Sequence, residues 1–416
     1  MDKSKTDIWV YAHWAGMKDP KCIGILSAST GKARKSFSFE YDKDWISSHE
    51  QLLLDPDLGW YSGPQYPNKK DNFGIFLDSM PDSWGRTLMQ RREPQRAKEE
   101  GRAPKILHDI DYLLGVYDES RMGALRFKLN PEGPFLDVAS ETTAPPWTSL
   151  GELQRAVNFI ESDEDDENIR DWIFMLIAPG TSLGGARPKA NFTDRSNELW
   201  IAKFPSRNDA TDKAAFEFLA YRMATKAGIN MAGSGISKIA GNHHTFLTRR
   251  FDRIKKERIH FASAMTMTGN SEESIRDNRA SYLEIAEFIR FSGASNEEDL
   301  HQLWKRIVFN ISISNTDDHL RNHGFVLSAG GWRLSPAFDI NPSIDKQGLA
   351  LNIDTDNNIL DFDLARSVGE FFMLDIPSMD KILAEVKFVV SDWRKYANSI
   401  GIPRNEQEMM APAFRF

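Results

Sequence analysis

The chain has little cysteine and no long apolar segment. Cys22 is the only cysteine among 416 residues, so an internal disulfide cannot form. No apolar run approaches the roughly 20 residues that span a bilayer. The amino-terminal stretch MDKSKTDIWVYAHW also lacks the apolar core and small-residue cleavage site of a secretory signal. We therefore expect a cytoplasmic protein that has no membrane partner.

An excess of basic residues is also missing. The sequence has 52 Lys and Arg residues against 60 Asp and Glu residues, which makes a net charge of −8. The chain as a whole therefore repels nucleic acid, and any DNA contact must come from a local patch or through a partner. The hydrophobic content of 41% is that of an ordinary globular protein.

Periodicity divides the chain into a β-rich first part and a mixed second part. The runs IWVYAHW, CIGILSA and KSFSFEY alternate or are rich in β-branched residues, which predicts strands. The segment TTAPPWTS is typical of a linker. After it, the sequence predicts a strand at ELWIAKF, a helix over 211–228, a helix through LHQLWKRIVFNISIS and a hairpin in GFVLSAGGWRLSPAF.

The stretch SNTDDHLRNHGF concentrates side chains that can do chemistry. His319 and His323 are four residues apart and would share a metal ion if they lay on a helix. A zinc metalloprotease, however, needs Glu directly after the first histidine, and Leu320 stands there. A phosphohydrolase that binds a divalent metal through Asp317, Asp318 and the histidines remains open.

The same stretch has the spacing of a kinase catalytic loop. Asp317, four residues and Asn322 match the D-x-x-x-x-N pattern, in which the aspartate orients the acceptor hydroxyl and the asparagine binds Mg²⁺. Asp339 follows the predicted hairpin, where a kinase has a second Mg²⁺-binding aspartate. Taken alone the pattern is weak evidence, because a chain of this length can contain it by chance.

A glycine-containing loop precedes these elements. PGTSLGGARPKA is neither a Walker A loop nor a G-x-G-x-x-G loop. Gly184 and Gly185 nevertheless allow backbone amides to approach an anion, and Arg187 and Lys189 can supply positive charge.

The order of the remaining elements favours a kinase. Lys203 lies on the apolar strand ELWIAKF, where its ammonium would reach the phosphates, and Glu217 on the next helix is placed to pair with it. Glycine loop, strand lysine, helix glutamate, Asp/Asn loop, hairpin and aspartate follow each other in the kinase order. The joint occurrence predicts phosphoryl transfer.

With these residues, the chain resembles the HipA family of serine/threonine kinases, the toxins of bacterial type II toxin–antitoxin systems. The resemblance lies in TSLGGARPKA, IAKFP, RRFDR, NTDDHLRNHGF and LSPAFDINP, and in FGIFLDSMPDSWGR and LLGVYDESRMGALRF nearer the amino terminus. It implies an α+β protein with a two-lobed protein-kinase-like fold and an additional small β-rich N-terminal domain. The implied domains are the N-terminal domain 1–145, the kinase N-lobe 146–250 and the helical C-lobe 251–416.

The resemblance also implies a role for each matched residue. Asp317 would be the catalytic base, and Asn322 and Asp339 would ligate Mg²⁺. The segment 249–251 would form the hinge against adenine. The residues implied to bind ATP are Gly184, Gly185, Ala186, Arg187, Pro188, Lys189, Lys203, Arg249, Arg250, Phe251, His319, Leu320, Arg321, Asn322, Phe338 and Asp339.

Regulation and partners are implied in the same way. In this family a serine of the glycine-rich loop is autophosphorylated, which silences the kinase. The matching residue is Ser182, and Thr181 beside it is a second candidate. Added phosphate charge cannot lie among the ATP phosphates, which explains the silencing. The implied partners are a helix-turn-helix antitoxin of the HipB type, which carries the DNA affinity, and an aminoacyl-tRNA synthetase as protein substrate.

The predicted function is therefore an ATP- and Mg²⁺-dependent serine/threonine protein kinase that acts as a toxin. Two further alternatives remain open. One is a catalytically idle kinase fold that serves as a scaffold in a repressor complex. The other is a phosphotransferase that acts on a small molecule.

Overall fold

A computed structural model describes the chain over residues 4–30, 35–136, 144–162, 176 and 185–416. The chain divides into two compact units, of which the first comprises 1–207 with 252–262 and the second comprises 208–251 with 263–416. The division into three domains that the sequence predicts remains a prediction. Within the described ranges, no helix combines the length and the apolar character that crossing a membrane requires.

The first unit begins with a four-stranded antiparallel sheet. Its described strands and helices are β1 (Ser4–Ala12), β2 (Lys21–Thr30), β3 (Lys35–Tyr41), α1 (Lys43–Ser48), α2 (Gly74–Leu77), α3 (Ser83–Glu99), α4 (Asp109–Leu114), β4 (Leu125–Lys128), α5 (Leu150–Ser162), β5 (Lys189–Thr193), β6 (Leu199–Lys203), β9 (Arg253–Ile254) and β10 (Glu257–Arg258). The strand order is β3-β2-β1-β4. The alternating side chains Ile8, Val10, Leu26, Phe39 and Phe127 are fully buried on this sheet. The three strands predicted near the amino terminus are thus present.

Helix α3 starts at a side-chain cap. Asp82 precedes the helix, and its Oδ1 accepts a hydrogen bond of 2.9 Å from the Gly85 N–H, which satisfies one of the otherwise unpaired first-turn donors. The charged segment 89–105 begins within α3, which ends at Glu99. Most of its side chains are exposed, but Glu93 is buried, where it pairs with Arg102 at 2.5 Å.

The second unit combines two hairpins with a helical bundle. Its described elements are α6 (Lys213–Lys226), β7 (Ser234–Ser237), β8 (Thr245–Arg249), α7 (Ala264–Met267), α8 (Glu272–Asp277), α9 (Tyr282–Ser292), α10 (Asn296–Ser312), β12 (Gly324–Ser328), β13 (Gly331–Leu334), α11 (Phe362–Ser367), α12 (Ile376–Ser391), α13 (Trp393–Ile400) and α14 (Arg404–Met410). Strand β11 (Phe261–Ser263) leads into it. Strands β7 and β8 pair antiparallel, as do β12 and β13.

Helix α10 is the central helix of this unit and carries the predicted apolar stripe. Leu300, Trp304, Ile307 and Ile311 have no exposed surface, because the helix packs against α9 and α12. After its last residue the chain reverses at Ser314, which has a left-handed φ of 52°. The candidate catalytic loop starts here, and its first residues Asn315 and Thr316 are still buried.

Candidate active site

Asp317 lies at the exposed tip of the loop that follows α10. Its side chain is 76% exposed, and its nearest cation is Lys346, whose Nζ lies 3.6 Å from Asp317 Oδ1. The flanking residues Thr316 and Asp318 are buried. The loop thus presents one carboxylate to solvent from a closely packed backbone. A general base that takes the proton of a hydroxyl group needs such an arrangement.

Asp318 is the buried counterpart of Asp317 and anchors the loop. Its Oδ2 accepts hydrogen bonds from the Tyr282 hydroxyl at 2.5 Å, Asn310 Nδ2 at 2.8 Å and His323 Nε2 at 2.7 Å. Burial alone would raise the pKa of Asp318, but the neighbouring His323 charge and hydrogen bonds from His323 and Tyr282 lower the pKa below its usual value. Asp318 and His323 are therefore residues that shape the loop.

Asn322 lies on a single turn of 3-10 helix, Leu320–Asn322, within the same loop. Its Nδ2 donates a hydrogen bond of 3.1 Å to the backbone oxygen of Asp317. This bond fixes the orientation of the amide, and Oδ1 is the atom left to bind a cation. Asn322 is only 5% exposed, so its position relative to Asp317 is set by packing as well.

Asp339 follows the β12/β13 hairpin, as the sequence predicts. Its φ of 57° lies in the left-handed region, which a non-glycine residue adopts only when its surroundings impose it. The surroundings are visible here: the Ala337 N–H donates to Asn230 O at 2.7 Å, and Asn341 Nδ2 donates to Asp339 Oδ1 at 3.2 Å. Strain of this kind is characteristic of functional positions.

Hydrogen bonds bring the Asp317 loop and the Asp339 segment together. Asn315 Oδ1 accepts from the Asn341 N–H at 3.3 Å, and the Ser343 N–H donates to Ser314 O at 3.2 Å. Asn315 Nδ2 in turn donates to Asn310 Oδ1 at 3.0 Å. Because Asn310 also donates to Asp318, one chain of buried amides connects both segments.

The sequence interpretation did not identify these amides. Asn310 interrupts the apolar stripe of α10 yet is 1% exposed, and a buried polar side chain must be hydrogen-bonded. That interruption in KRIVFNISIS was the available signal.

The predicted adenine hinge lies at the end of β8. Phe251 and Phe338 contact each other with ring centroids 5.5 Å apart and planes inclined at 30°. Arg250 is buried and Arg249 is exposed, with the Arg249 N–H donating to Gly233 O at 2.7 Å. Two predicted nucleotide-binding segments, distant along the chain, thus meet through aromatic rings.

The remaining loop residues differ in their surroundings. Leu320 is 1% exposed, so its side chain belongs to the core. Arg321 is exposed and pairs with Glu272 at 2.7 Å. His319 has a buried Nδ1 atom that has no hydrogen-bond partner among the described residues. An orphaned buried nitrogen of this kind fits a pocket that a polar ligand completes.

Only the end of the glycine loop is described. Thr181, Ser182 and Gly184 lie outside the described residues. Gly185 and Ala186 are exposed, Arg187 is half-buried, and Pro188 and Lys189 are buried. A Cβ atom built on Gly185 would meet no atom within 4 Å, so packing within the described chain does not require glycine there.

Lys189 and Lys203 both lie in the first unit, whereas Asp317, Asn322 and Asp339 lie in the second. Lys189 Nζ forms a buried ion pair with Asp82 Oδ2 at 2.8 Å and donates to Gly185 O at 2.7 Å. Lys203, at the end of β6, is 8% exposed. That Lys203 converges on one triphosphate with the residues of the second unit, and pairs with Glu217, remains a prediction.

The side chains of the candidate site determine whether it suits Mg²⁺. Among the described residues, no group of three or more His, Cys, Asp or Glu side chains could bind a metal ion. Mg²⁺ in phosphoryl transfer is instead bound by one or two protein ligands together with phosphates and water. Asn322 and Asp339 are oxygen ligands of the right kind and number for that arrangement.

Comparisons with known proteins identify a family and related proteins that this chain resembles. The HipA-like C-terminal domain family matches residues 181–401, just over half of the chain. A Haemophilus influenzae protein named "Putative kinase" is 26% identical over 189 residues, which are 40% of this chain and 55% of that protein. The match therefore spans about half the length of this curated relative.

Two solved structures were compared. Shewanella oneidensis HipA, solved with HipB and operator DNA, is 18% identical, with a TM-score of 0.66 over 98% of this chain and 94% of that one. Helicobacter pylori proinflammatory kinase CtkA is 14% identical over 51% of this chain and 93% of that one, and its TM-score of 0.35 is too low for any argument. The HipA match confirms the predicted α+β fold class. On the family match over residues 181–401, the chain belongs to the HipA-like C-terminal domain family.

Proposed function

We propose that this protein is an ATP- and Mg²⁺-dependent serine/threonine protein kinase that acts as the toxin of a toxin–antitoxin pair. The observation that supports this most is the hydrogen-bonded junction between the Asp317 loop and the Asp339 segment. The exposed carboxylate of Asp317 and the hydrogen-bonded amide of Asn322 lie on one of the joined segments, and Asp339, with its left-handed φ, lies on the other.

In the proposed mechanism Asp317 orients the acceptor hydroxyl and accepts its proton. Asn322 and Asp339 would hold Mg²⁺ with their oxygens, and the chemistry that the ion would supply is neutralisation of charge on the ATP phosphates. The family resemblance assigns the backbone at Gly185 to the ATP phosphates, the hinge residue Phe251 to adenine and Phe338 to the nucleotide pocket. Most of the rate enhancement comes from positioning and from charge stabilisation. The chain of buried amides contributes to the rate because it holds the two segments in position.

Asp317→Asn tests the catalytic assignment. Because the Asp317 side chain is 76% exposed, the substitution leaves the fold intact. We expect phosphate transfer from Mg·ATP to fall by about 10²–10⁴-fold, the usual contribution of a general base. The exposed residue Asp356 supplies the matched control, and Asp356→Asn keeps wild-type transfer. Equal transfer in wild type and Asp317→Asn contradicts the proposal.

The labelled product separates the alternatives. Radioactive phosphate on protein supports a protein kinase, whereas label on a metabolite indicates a small-molecule phosphotransferase. Retained antitoxin binding without Mg²⁺-dependent ATP binding indicates an idle scaffold.

The proposed regulation and partners extend the same assignment. Ser182, or Thr181, is modified by autophosphorylation, which removes the glycine loop from the ATP site. The protein substrate is an aminoacyl-tRNA synthetase, and the partner is a HipB-type helix-turn-helix antitoxin that binds DNA in the cytoplasm. Support comes from the acidic chain and from the solved complex of the Shewanella protein with HipB and operator DNA. Intact-mass analysis and peptide mapping after incubation with Mg·ATP identify the modified residue, and phosphate on Thr181 alone contradicts Ser182.

A further inference from the structure

Asp317 has a cation beside it that the D-x-x-x-x-N pattern does not contain. Lys346 Nζ lies 3.6 Å from Asp317 Oδ1, and the two side chains are 61% and 76% exposed. An ion pair between side chains as exposed as these contributes little to stability, because water screens both charges. The fold therefore gains little from the pair, and the position of the ammonium matters for the chemistry at Asp317.

The backbone that carries Lys346 is held against the backbone that carries Asp317. The Ser343 N–H donates a hydrogen bond of 3.2 Å to Ser314 O, which lies just before Asp317 in the chain. The Asp345 N–H donates to Ser343 Oγ at 3.1 Å, which fixes the turn that precedes Lys346. The two charged side chains therefore start from neighbouring segments that are hydrogen-bonded to each other.

The proposed transfer step brings negative charge to this point. The acceptor oxygen forms a bond to the γ-phosphorus while the bond from that phosphorus to the ADP oxygen breaks, and the hydroxyl proton passes to Asp317. The ionised carboxylate of Asp317 repels the phosphoryl oxygens at short range. A cation next to the carboxylate offsets this repulsion, and it costs no reorganisation during the transfer because it is already in place.

We propose that Lys346 is a further catalytic residue whose ammonium contacts the transferred phosphoryl group beside Asp317 and stabilises its negative charge. The ammonium neither gains nor loses a proton in the step. Lysine suits this role, because its charge is compact and its flexible stem can carry it from the carboxylate to a phosphoryl oxygen. The inference rests on the proposed function, because it adds a residue to that reaction.

Two substitutions at this position separate charge from packing. Lys346→Met removes the charge and keeps a side chain of similar length, whereas Lys346→Arg keeps the charge. Steady-state kinetics of the full chain should show a kcat about 10–10²-fold lower in Lys346→Met, because a preorganised charge at the transferred group is lost. KM for ATP should stay within about threefold of wild type, because the contact strengthens only as the phosphoryl group is transferred. Lys346→Arg should recover kcat to within about threefold of wild type.

Lys395→Met is the matched control for the loss of an exposed lysine. The Lys395 side chain is 78% exposed, and its Nζ lies 2.7 Å from Asp392 Oδ1. This pair lies at the start of α13, in the same unit as Lys346 but not in the candidate catalytic loop. Its kcat should equal that of wild type. All three variants should keep the wild-type melting temperature, because exposed ion pairs contribute little to stability.

An Asp317→Asn background tests whether Lys346 contacts the phosphoryl group or only balances the charge of Asp317. If the ammonium acted only on the Asp317 carboxylate, adding Lys346→Met would cause no further loss once that charge is removed. If it contacts the phosphoryl group, the residual transfer of radioactive phosphate should fall at least about threefold further.

Four results would overturn the inference. They are a wild-type kcat in Lys346→Met, an equal loss of kcat in Lys346→Met and Lys346→Arg, a lowered melting temperature in Lys346→Met, and no further loss in the Asp317→Asn background. If wild type transfers phosphate while any of them is found, the inference fails and the proposed function stands. If wild type transfers no phosphate, the proposed function itself fails, and the inference fails with it.

Discussion

At the scale of single residues, packing against the described part of the chain does not require glycine at position 185. An added Cβ would meet nothing within 4 Å, so Gly185→Ala should leave thermal stability unchanged. If phosphates approach the backbone there, the methyl group should weaken ATP binding by about tenfold, which is about 1.4 kcal/mol. Isothermal titration with Mg·ATP measures this effect.

Gly330→Ala is the matched control for this prediction. Gly330 lies in the turn between β12 and β13, and its added Cβ would make an ordinary contact of 3.5 Å with Ala294. Its ATP affinity should equal that of wild type. Unchanged affinity in Gly185→Ala would mean that the ligand does not approach this backbone position.

Asp318 gives the second residue-scale prediction, which concerns pH. Because its pKa is held below the usual 3.8 in the folded state, its contribution to stability is complete above pH 3.8 and is lost as the pH falls through the folded pKa. Asp318→Asn breaks a buried, hydrogen-bonded pair with His323, which should cost about 3–5 kcal/mol at pH 7.

Urea unfolding at pH values from 7 down to 3 measures this dependence. The difference in unfolding free energy between wild type and Asp318→Asn should shrink below pH 3.8. A constant difference at all pH values would contradict the assignment of Asp318 as an ionised loop anchor.

At the scale of elements, the important feature is how α10, the candidate catalytic loop and the segment after the hairpin are connected by hydrogen bonds. Asn315 connects two of them, since it donates to Asn310 and accepts from the Asn341 N–H. Asn315→Ala should cost about 1–3 kcal/mol of stability, because it leaves buried polar groups unpaired. It should also raise the Mg²⁺ concentration needed for half-maximal phosphate transfer, because Asn322 and Asp339 lose their fixed separation.

Asn352 is a suitable control for Asn315. It is buried in the same unit and donates to Thr355 O at 3.1 Å, away from the amide chain. Asn352→Ala should lower stability by a similar amount without changing the Mg²⁺ requirement. If both variants needed the same Mg²⁺ concentration for half-maximal transfer, Asn315 would have only a structural role.

At the scale of the whole molecule, net charge decides whether the chain can bind DNA by itself. With a charge of −8, the chain alone should bind an operator duplex no better than about 10⁻⁴ M at physiological salt, the weak end of non-specific binding. Addition of the antitoxin should produce tight binding. Fluorescence anisotropy of a labelled duplex measures both states, and micromolar binding by the chain alone would show a basic patch that its overall charge conceals.

The sequence by itself determined the elements and the chemistry-bearing residues. The apolar stripe of α10, the hairpin before Asp339 and the spacing of Asp317 and Asn322 can all be read from it, because periodicity and turn residues are local properties. These local patterns also led to the family and to the α+β fold class.

Only the tertiary structure decided which polar groups are already engaged. Lys189 is an ordinary strand lysine in the sequence, yet its ion pair with Asp82 spans 107 positions of the chain. The amide chain from Asn310 to Asn341 likewise joins elements that are distant along the polypeptide. Such pairings depend on burial and on contacts between remote segments, and neither is encoded in spacing along the chain.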